Sequence, residues 1–510
     1  MKKILCILLS VLLLLPAASL CASAAARPAV FSEEKVENAL PVVIVRGMDF
    51  TQGLKYDFGT ENERTVNVMN NLSFGGVMKG LARGFSALVS RGRRAAVTEL
   101  VAFAATLFEG YACDENGDSL DPRVTGMDYP LSVDHYPELW EGGKGHENGL
   151  VHSAADRYGA DRVYYFLYDW RLDALQNAAK LSEMVERACE EHESAQVNLV
   201  CCSMGGLVTL AYLGEYGSAR IHSLVSNSSV MYGTDVTGEL LTGKIDFNED
   251  AAYRYLTDKF SGLKGLFTAA YKTGLMGKIC RFLNRFAETY HDEIYNGVLI
   301  PVFASMPALW EIVRPEVYDE AKAYIFGDSD AYAGLRAKTD KVQYEICANL
   351  QSILDTAMQN GMLFGVLANY DTPLVPAYAS APLQGDGTLE TRMMSFGALV
   401  SAVGGKLSEE ELAVGEPEYV SPDGCINAST CLYRDMTWFC KDCVHVACAY
   451  HSDYTYLVFS ILEADTQPTV HTWEKYPQFM QADGKENLTP VTADPGRWDE
   501  KENIDVDSAC

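Results

Sequence analysis

Beyond residue 26 the chain contains no apolar run of the roughly 20 residues that a transmembrane helix needs, no internal repeat and no long low-complexity segment. The mature part is therefore expected to be soluble or only peripherally attached to a membrane. Positive charge is also scarce: 41 Lys and Arg stand against 69 Asp and Glu, a formal net charge of −28. Removing Lys2 and Lys3 makes it more negative still. Such a surface repels phosphate backbones and anionic bilayers as bulk partners, so nucleic acid is not an expected ligand.

What the sequence does have begins with a leader. Lys2 and Lys3 precede the apolar run ILCILLSVLLLLPAASL and then small residues at Ala22, Ala24 and Ala26. That order reads as a cleaved secretory signal over residues 1–26, with a secreted or extracytoplasmic product. Lipoprotein anchoring at Cys21 is the lesser alternative, because Leu20 is bulky where that processing wants a small side chain. Fourteen cysteines, two of them in the leader, leave an even number. Five crowd residues 425–448, as CINASTC, CKDC and Cys448. An exported chain favours one or two local disulfides there over a tetrahedral zinc site.

The whole chain is 48% hydrophobic and 11% aromatic, enough for a large core. PVVIVRG at 41–47 reads as a buried strand closed by glycine. Residues 74–110 carry helical apolar spacing with Lys79, Arg83, Arg91, Arg93 and Arg94. They suit either a lipid surface or, as the plainer reading, a solvated amphipathic helix packed on the domain. From 162 strands and helices alternate: RVYYFLYDW, LDALQNAAKLSEMVERACEEH, VNLVCCS, GGLVTLAYLGEYG and IHSLVSNSS. Alternation of this kind predicts a mostly parallel sheet flanked by helices, with every strand's carboxyl end on one edge. The pattern stops near 235, gives way to aromatic-rich helices over 240–345, and resumes with MLFGVLANYD and a last helix, DYTYLVFSILEA. The expected organisation is a first core part at 27–235, a helical cap at 236–355, a second core part at 356–464 and a loosely held polar tail at 465–510.

Ser203, in VNLVCCSMGG, sits where a strand stops and a helix begins. It is either an ordinary helix N-cap or a nucleophile on a sharp turn. A nucleophile turn needs small residues two before and two after the serine, and Cys201 and Gly205 hold those places. Cys201 and Cys202 are the other nucleophilic side chains nearby, and at a strand end they are expected to be buried and inert. If Ser203 attacks, an acid and a histidine should follow in chain order on loops after later strands. Asp386, between two glycines in QGDGTLE, is the first choice of acid, and Asp371 in ANYDTP the second. For the base, His445 leaves a loop before Ser452, a candidate cap of the last helix, and His451 abuts that cap. His445 is preferred, and both stay open. The oxyanion would be held by the backbone N–H groups of Met204 and Met48, the latter just after PVVIVRG.

The spacing of 183 residues from Ser203 to Asp386 exceeds one strand–helix–strand unit, so the helical stretch is expected to form a cap over the sheet's carboxyl edge. An apolar cap over a serine favours a substrate with long hydrocarbon. Together PVVIVRG, FLYDWRLD, LVCCSMGG, GDGTLE and a histidine before the last helix resemble the lecithin:cholesterol acyltransferase-like lipases, a branch of the α/β hydrolases. YDWR is the most specific element, and SMPALW gives a faint match in the cap. The resemblance implies an α/β-hydrolase fold with a helical cap. It further implies a serine esterase, phospholipase or O-acyltransferase passing acyl groups from a lipid ester to water or an alcohol, without metal or organic cofactor. It points to Ser203, Asp386 and His445, and implies that Asp169 and Arg171 pair structurally beside the site. Two rival readings are an inactive lipid-binding or surface-interaction protein on the same scaffold, and a peptidase or amidase.

Overall fold

The computed structural model describes residues 36, 38–68, 74–108, 110–140, 149–327, 329–449, 451–484 and 487–493. Residues 1–26, read as a secretory signal, and Cys21 among them lie outside the described residues. At the centre is an eight-stranded sheet: β1 (Val42–Val45), β2 (Val163–Phe166), β3 (Val197–Cys202), β4 (Ile221–Asn227), β5 (Leu363–Tyr370), β6 (Thr437–Lys441), β7 (Phe479–Ala482) and β8 (Leu488–Pro490). Across the sheet the order is β8-β7-β6-β5-β4-β3-β1-β2. All pairings are parallel except that of β8 with β7. Strands β1 to β7 therefore end on one edge.

The strands read as continuous apolar runs because both faces are covered. Successive side chains point to opposite faces. Val43, Val45, Leu199 and Cys201 join a core with the helices Ala174–Glu191 (α1) and Gly205–Tyr216 (α2). Val42, Ile44, Val200 and Trp438 join another with the helices Gly149–Tyr158 and Ser452–Leu462. Asp173 starts α1, its carboxylate accepting the N–H groups of Leu175 and Gln176 at 2.7 and 3.1 Å.

Between β4 and β5 the chain is helical, with apolar clusters of its own. One gathers Leu241, Leu299, Trp310 and Tyr318, and another Phe247, Met276, Cys280 and Leu283. The basic stretch near the N-terminal end forms two helices, Phe74–Arg91 and Arg93–Leu107, broken at Gly92, whose φ is 91°. Among the described residues no helix is long and apolar enough to cross a membrane.

Two expectations need correction. Over its described residues, up to 493, the segment from 465 is not a loosely held tail, since β7 and β8 extend the sheet. The Gln467 amide clasps Phe364, accepting from its N–H at 3.0 Å and donating to its carbonyl at 2.7 Å. Trp438 Nε1 donates to Tyr476 O at 3.0 Å. Average polarity hid these ties because few apolar residues, Phe479, Met480 and Leu488 among them, do the burying. The crowded cysteines form no local disulfide either: every cysteine among the described residues is a free thiol. Cys425 and Cys431 are separately buried, the first with its thiol 3.4 Å from Gly405 O.

Candidate active site

Ser203 follows β3 directly, at φ 52°, in the left-handed region that side chains other than glycine seldom adopt. Its backbone is held from both sides. The N–H donates to Ser228 O at 3.1 Å, and the carbonyl accepts from Gly206 N and Val230 N, each at 3.0 Å. Helix α2 has its N-cap at Met204, with no side-chain capping bond, so Ser203 does not cap the helix. The N-cap alternative is thereby excluded.

The small neighbours have a steric reason. A Cβ on Gly205 would stand 2.5 Å from Val45 O, and one on Gly47 would stand 3.1 Å from Ser203 Oγ. The loop after β1 thus packs directly on the serine. Asp49 stiffens that loop: it pairs with Arg46 and accepts from Thr51 N and Thr51 Oγ1, each at 2.6 Å. Among the described residues, no acceptor of the protein takes the N–H of Met48 or of Met204.

Asp386 and His445 meet. His445 Nδ1 and Asp386 Oδ2 are 2.6 Å apart, and His445 N donates to Asp386 O at 3.0 Å. The other carboxylate oxygen accepts from Thr388 N at 2.9 Å and Leu389 N at 2.7 Å. Asp386 is fully buried, and its tight turn aims the carboxylate by backbone bonds alone. Burial opposes charge on the ring, yet the Asp386 carboxylate outweighs it and holds His445 above the usual imidazole range.

Of the second choices, Asp371 directly follows β5 and gives its N–H to Gln384 Oε1 at 2.9 Å. His451 serves as N-cap residue of the last helix. The carboxylate and imidazole that bond each other are those of Asp386 and His445. Ser203 Oγ makes no hydrogen bond to that ring. Such bonds are often long in a free enzyme and tighten in the reacting complex.

Other groups hold the loops and lie beyond sequence reasoning, since they join distant segments. Asn369 Nδ2 donates to Ser228 Oγ and to Val444 O, each at 3.0 Å, fastening the histidine loop to the turn after β4. Buried Lys441, four residues before His445, pairs with buried Asp423 at 2.9 Å. Asp169 and Arg171 do form a buried pair, at 2.6 Å, and the guanidinium also donates to Gly110 O, Ser119 Oγ and Val124 O. That network holds the loops beside β2. Among the described residues, no group of three or more His, Cys, Asp or Glu side chains is gathered as a metal site.

Glu390, the last residue of GDGTLE, ties the acid's loop to the start of the cap: it accepts from Thr234 Oγ1 and Val236 N, each at 2.9 Å. Burial, with Asp235 nearby, pushes its carboxyl from 4.5 up to about 7. Between those values the folded state holds a proton that the unfolded state has released. Stability from this group is thus full below 4.5 and lost as pH rises through about 7. The expected slope is a fall of about 1.4 kcal/mol per pH unit across that window. Urea titrations at several pH values should show it, and Glu390→Gln should flatten it; an unchanged slope in that variant contradicts the assignment.

A family model described as alpha/beta hydrolase fold matches residues 145–274. The fold is that of the α/β hydrolases. It supports a hydrolase in general. The solved structure described as "The crystal structure of Tle4-Tli4 complex" is similar at 12% identity over 66% of this chain and 75% of its own, with a TM-score of 0.24. No curated protein matches the chain.

Proposed function

We propose that this α/β-hydrolase-fold chain is a serine esterase or lipase, of the lecithin:cholesterol acyltransferase-like kind, that cleaves or transfers acyl groups from lipid esters. The observation that carries the reading is the 2.6 Å bond between His445 and buried Asp386, combined with a serine at φ 52°. In the proposed cycle His445 takes the Ser203 proton as the hydroxyl attacks the ester carbonyl. Asp386 keeps the ring oriented and stabilises its cation. The Met48 and Met204 amides, with no acceptor among the described residues, hold the oxyanion. His445 then returns the proton to the leaving alcohol, and water or an acceptor alcohol releases the acyl group from Ser203.

The cap supports a lipid substrate. Residues 259–287 contain Lys259, Lys264, Lys272, Lys278, Arg281 and Arg285 and no Asp or Glu, in a chain of net charge −28. The same stretch exposes Leu263, Leu266, Leu275, Ile279 and Phe282, with Leu266 64% accessible. Apolar side chains beside basic ones suit peripheral contact with a lipid surface. The export signal read in residues 1–26 makes an extracytoplasmic lipid the proposed setting.

A fluorophosphonate probe is expected to label Ser203 and no other residue, and p-nitrophenyl esters of long acyl chains should turn over faster than acetate. Peptide cleavage in place of ester cleavage would favour an amidase. An unlabelled, folded protein would leave the inactive binding scaffold as the answer.

A further inference from the structure

We propose that Cys202 and Cys448 are a redox-active pair that closes to a disulfide, tying the turn that carries Ser203 to the loop that carries His445. The two thiols come from segments far apart in the chain and converge on one amide. Asn227 Nδ2 donates to Cys202 Sγ at 3.4 Å and to Cys448 Sγ at 3.3 Å. Tyr454 fixes which way that amide faces, since its hydroxyl donates to Asn227 Oδ1 at 2.8 Å and turns the NH₂ group toward the sulfurs.

Their inequality suits exchange chemistry. The neighbouring Cys448 thiol holds the Cys202 thiol below its ordinary range, with help from Asn227 and the nearby His445, while Cys202 and burial push Cys448 well up. Cys202 is the partly exposed member and Cys448 the buried one. The Cys202 thiolate attacks a low-molecular-weight disulfide such as oxidised glutathione, forming a mixed disulfide and releasing one thiol. Cys448 then attacks the Cys202 sulfur, forming the internal bond and releasing the second. The two protein thiols lose two protons and two electrons, and the external disulfide is reduced to two thiols.

The bond itself does not rest on the esterase reading. Its consequence does: Cys202 precedes Ser203, and Cys448 lies three residues after His445. The link would therefore fix the elbow against the loop of the base.

The test is disulfide mapping of the full chain after treatment with oxidised glutathione, with alkylation of remaining thiols in denaturant. Trypsin should yield fragment 188–220 joined to fragment 442–475, separable by dithiothreitol. The link should persist in Cys201→Ser and Ser203→Ala, and disappear in Cys202→Ser and in Cys448→Ser. Because Ser203→Ala retains it, failure of the esterase reading and failure of this one are separately visible. Alkylation of both Cys202 and Cys448 after oxidation, with closure of the neighbouring Cys440 and Cys443 alone, overturns the proposal.

Discussion

Replacing Ser203 with alanine is expected to lower ester cleavage by about 10⁴- to 10⁶-fold, the usual cost of losing a triad nucleophile. Folding should be nearly untouched, because the hydroxyl makes no hydrogen bond to the described residues and the turn is held by backbone bonds to Ser228, Gly206 and Val230. A companion variant separates chemistry from architecture. Ser203 stands at φ 52°, a conformation that glycine adopts freely and other residues do not. Ser203→Gly is therefore expected to be as inactive as the alanine variant and yet more stable by about 1 kcal/mol. Strain at a residue whose side chain bonds nothing in the fold is what a functional demand leaves behind. Full activity of either variant, measured on p-nitrophenyl esters with the folded fraction checked by urea titration, removes Ser203 from the mechanism.

How far the sequence discloses such a site depends on how local its causes are. The strand and helix pattern over residues 162–230 is readable because parallel strands buried on both faces are plain apolar runs, and because Asp173 and Gly205 mark helix starts. The turn at Ser203 is readable because close approach of the Val45 backbone leaves room only for glycine at 205. The proposed acid is approachable because Asp386 lies between glycines on a turn that aims it without outside help. Order behind Ser203 leaves Asp386 or Asp371 and His445 or His451, and only the folded chain brings Asp386 to His445.

The unreadable parts are contacts between segments that no spacing rule connects. Glu390 reaches back to Thr234, and Asn227 gathers sulfurs from positions 202 and 448. Strands β7 and β8 stay hidden for another reason: four and three residues long, they are too short for their alternation to rise above a polar surround. The small sheet of Leu54–Tyr56, Arg64–Thr65 and Val124–Gly126 is invisible on the same grounds.

Changing Asp386 to asparagine is the second change with a large expected effect, about 10⁴-fold in kcat, and it tests the geometry more finely than loss of the nucleophile. The carboxylate uses one oxygen on Thr388 N and Leu389 N and the other on His445 Nδ1. The two backbone donors require an oxygen on their side, so asparagine must turn its NH₂ toward the ring. Nδ1 then has to accept rather than donate, and the proton moves to Nε2, the nitrogen that should receive the serine's proton. The ring is left in place with the wrong tautomer. A second signature follows from the charge. Asp386 is what holds His445 above the usual imidazole range, so without it the ring titrates lower. The base is active when neutral, and the acid limb of the remaining kcat/KM should therefore shift to lower pH while the plateau falls. A merely structural aspartate would lower the plateau through unfolding and leave the surviving fraction with an unmoved acid limb. Measuring kcat/KM against pH for both proteins, normalised to folded enzyme, distinguishes the two.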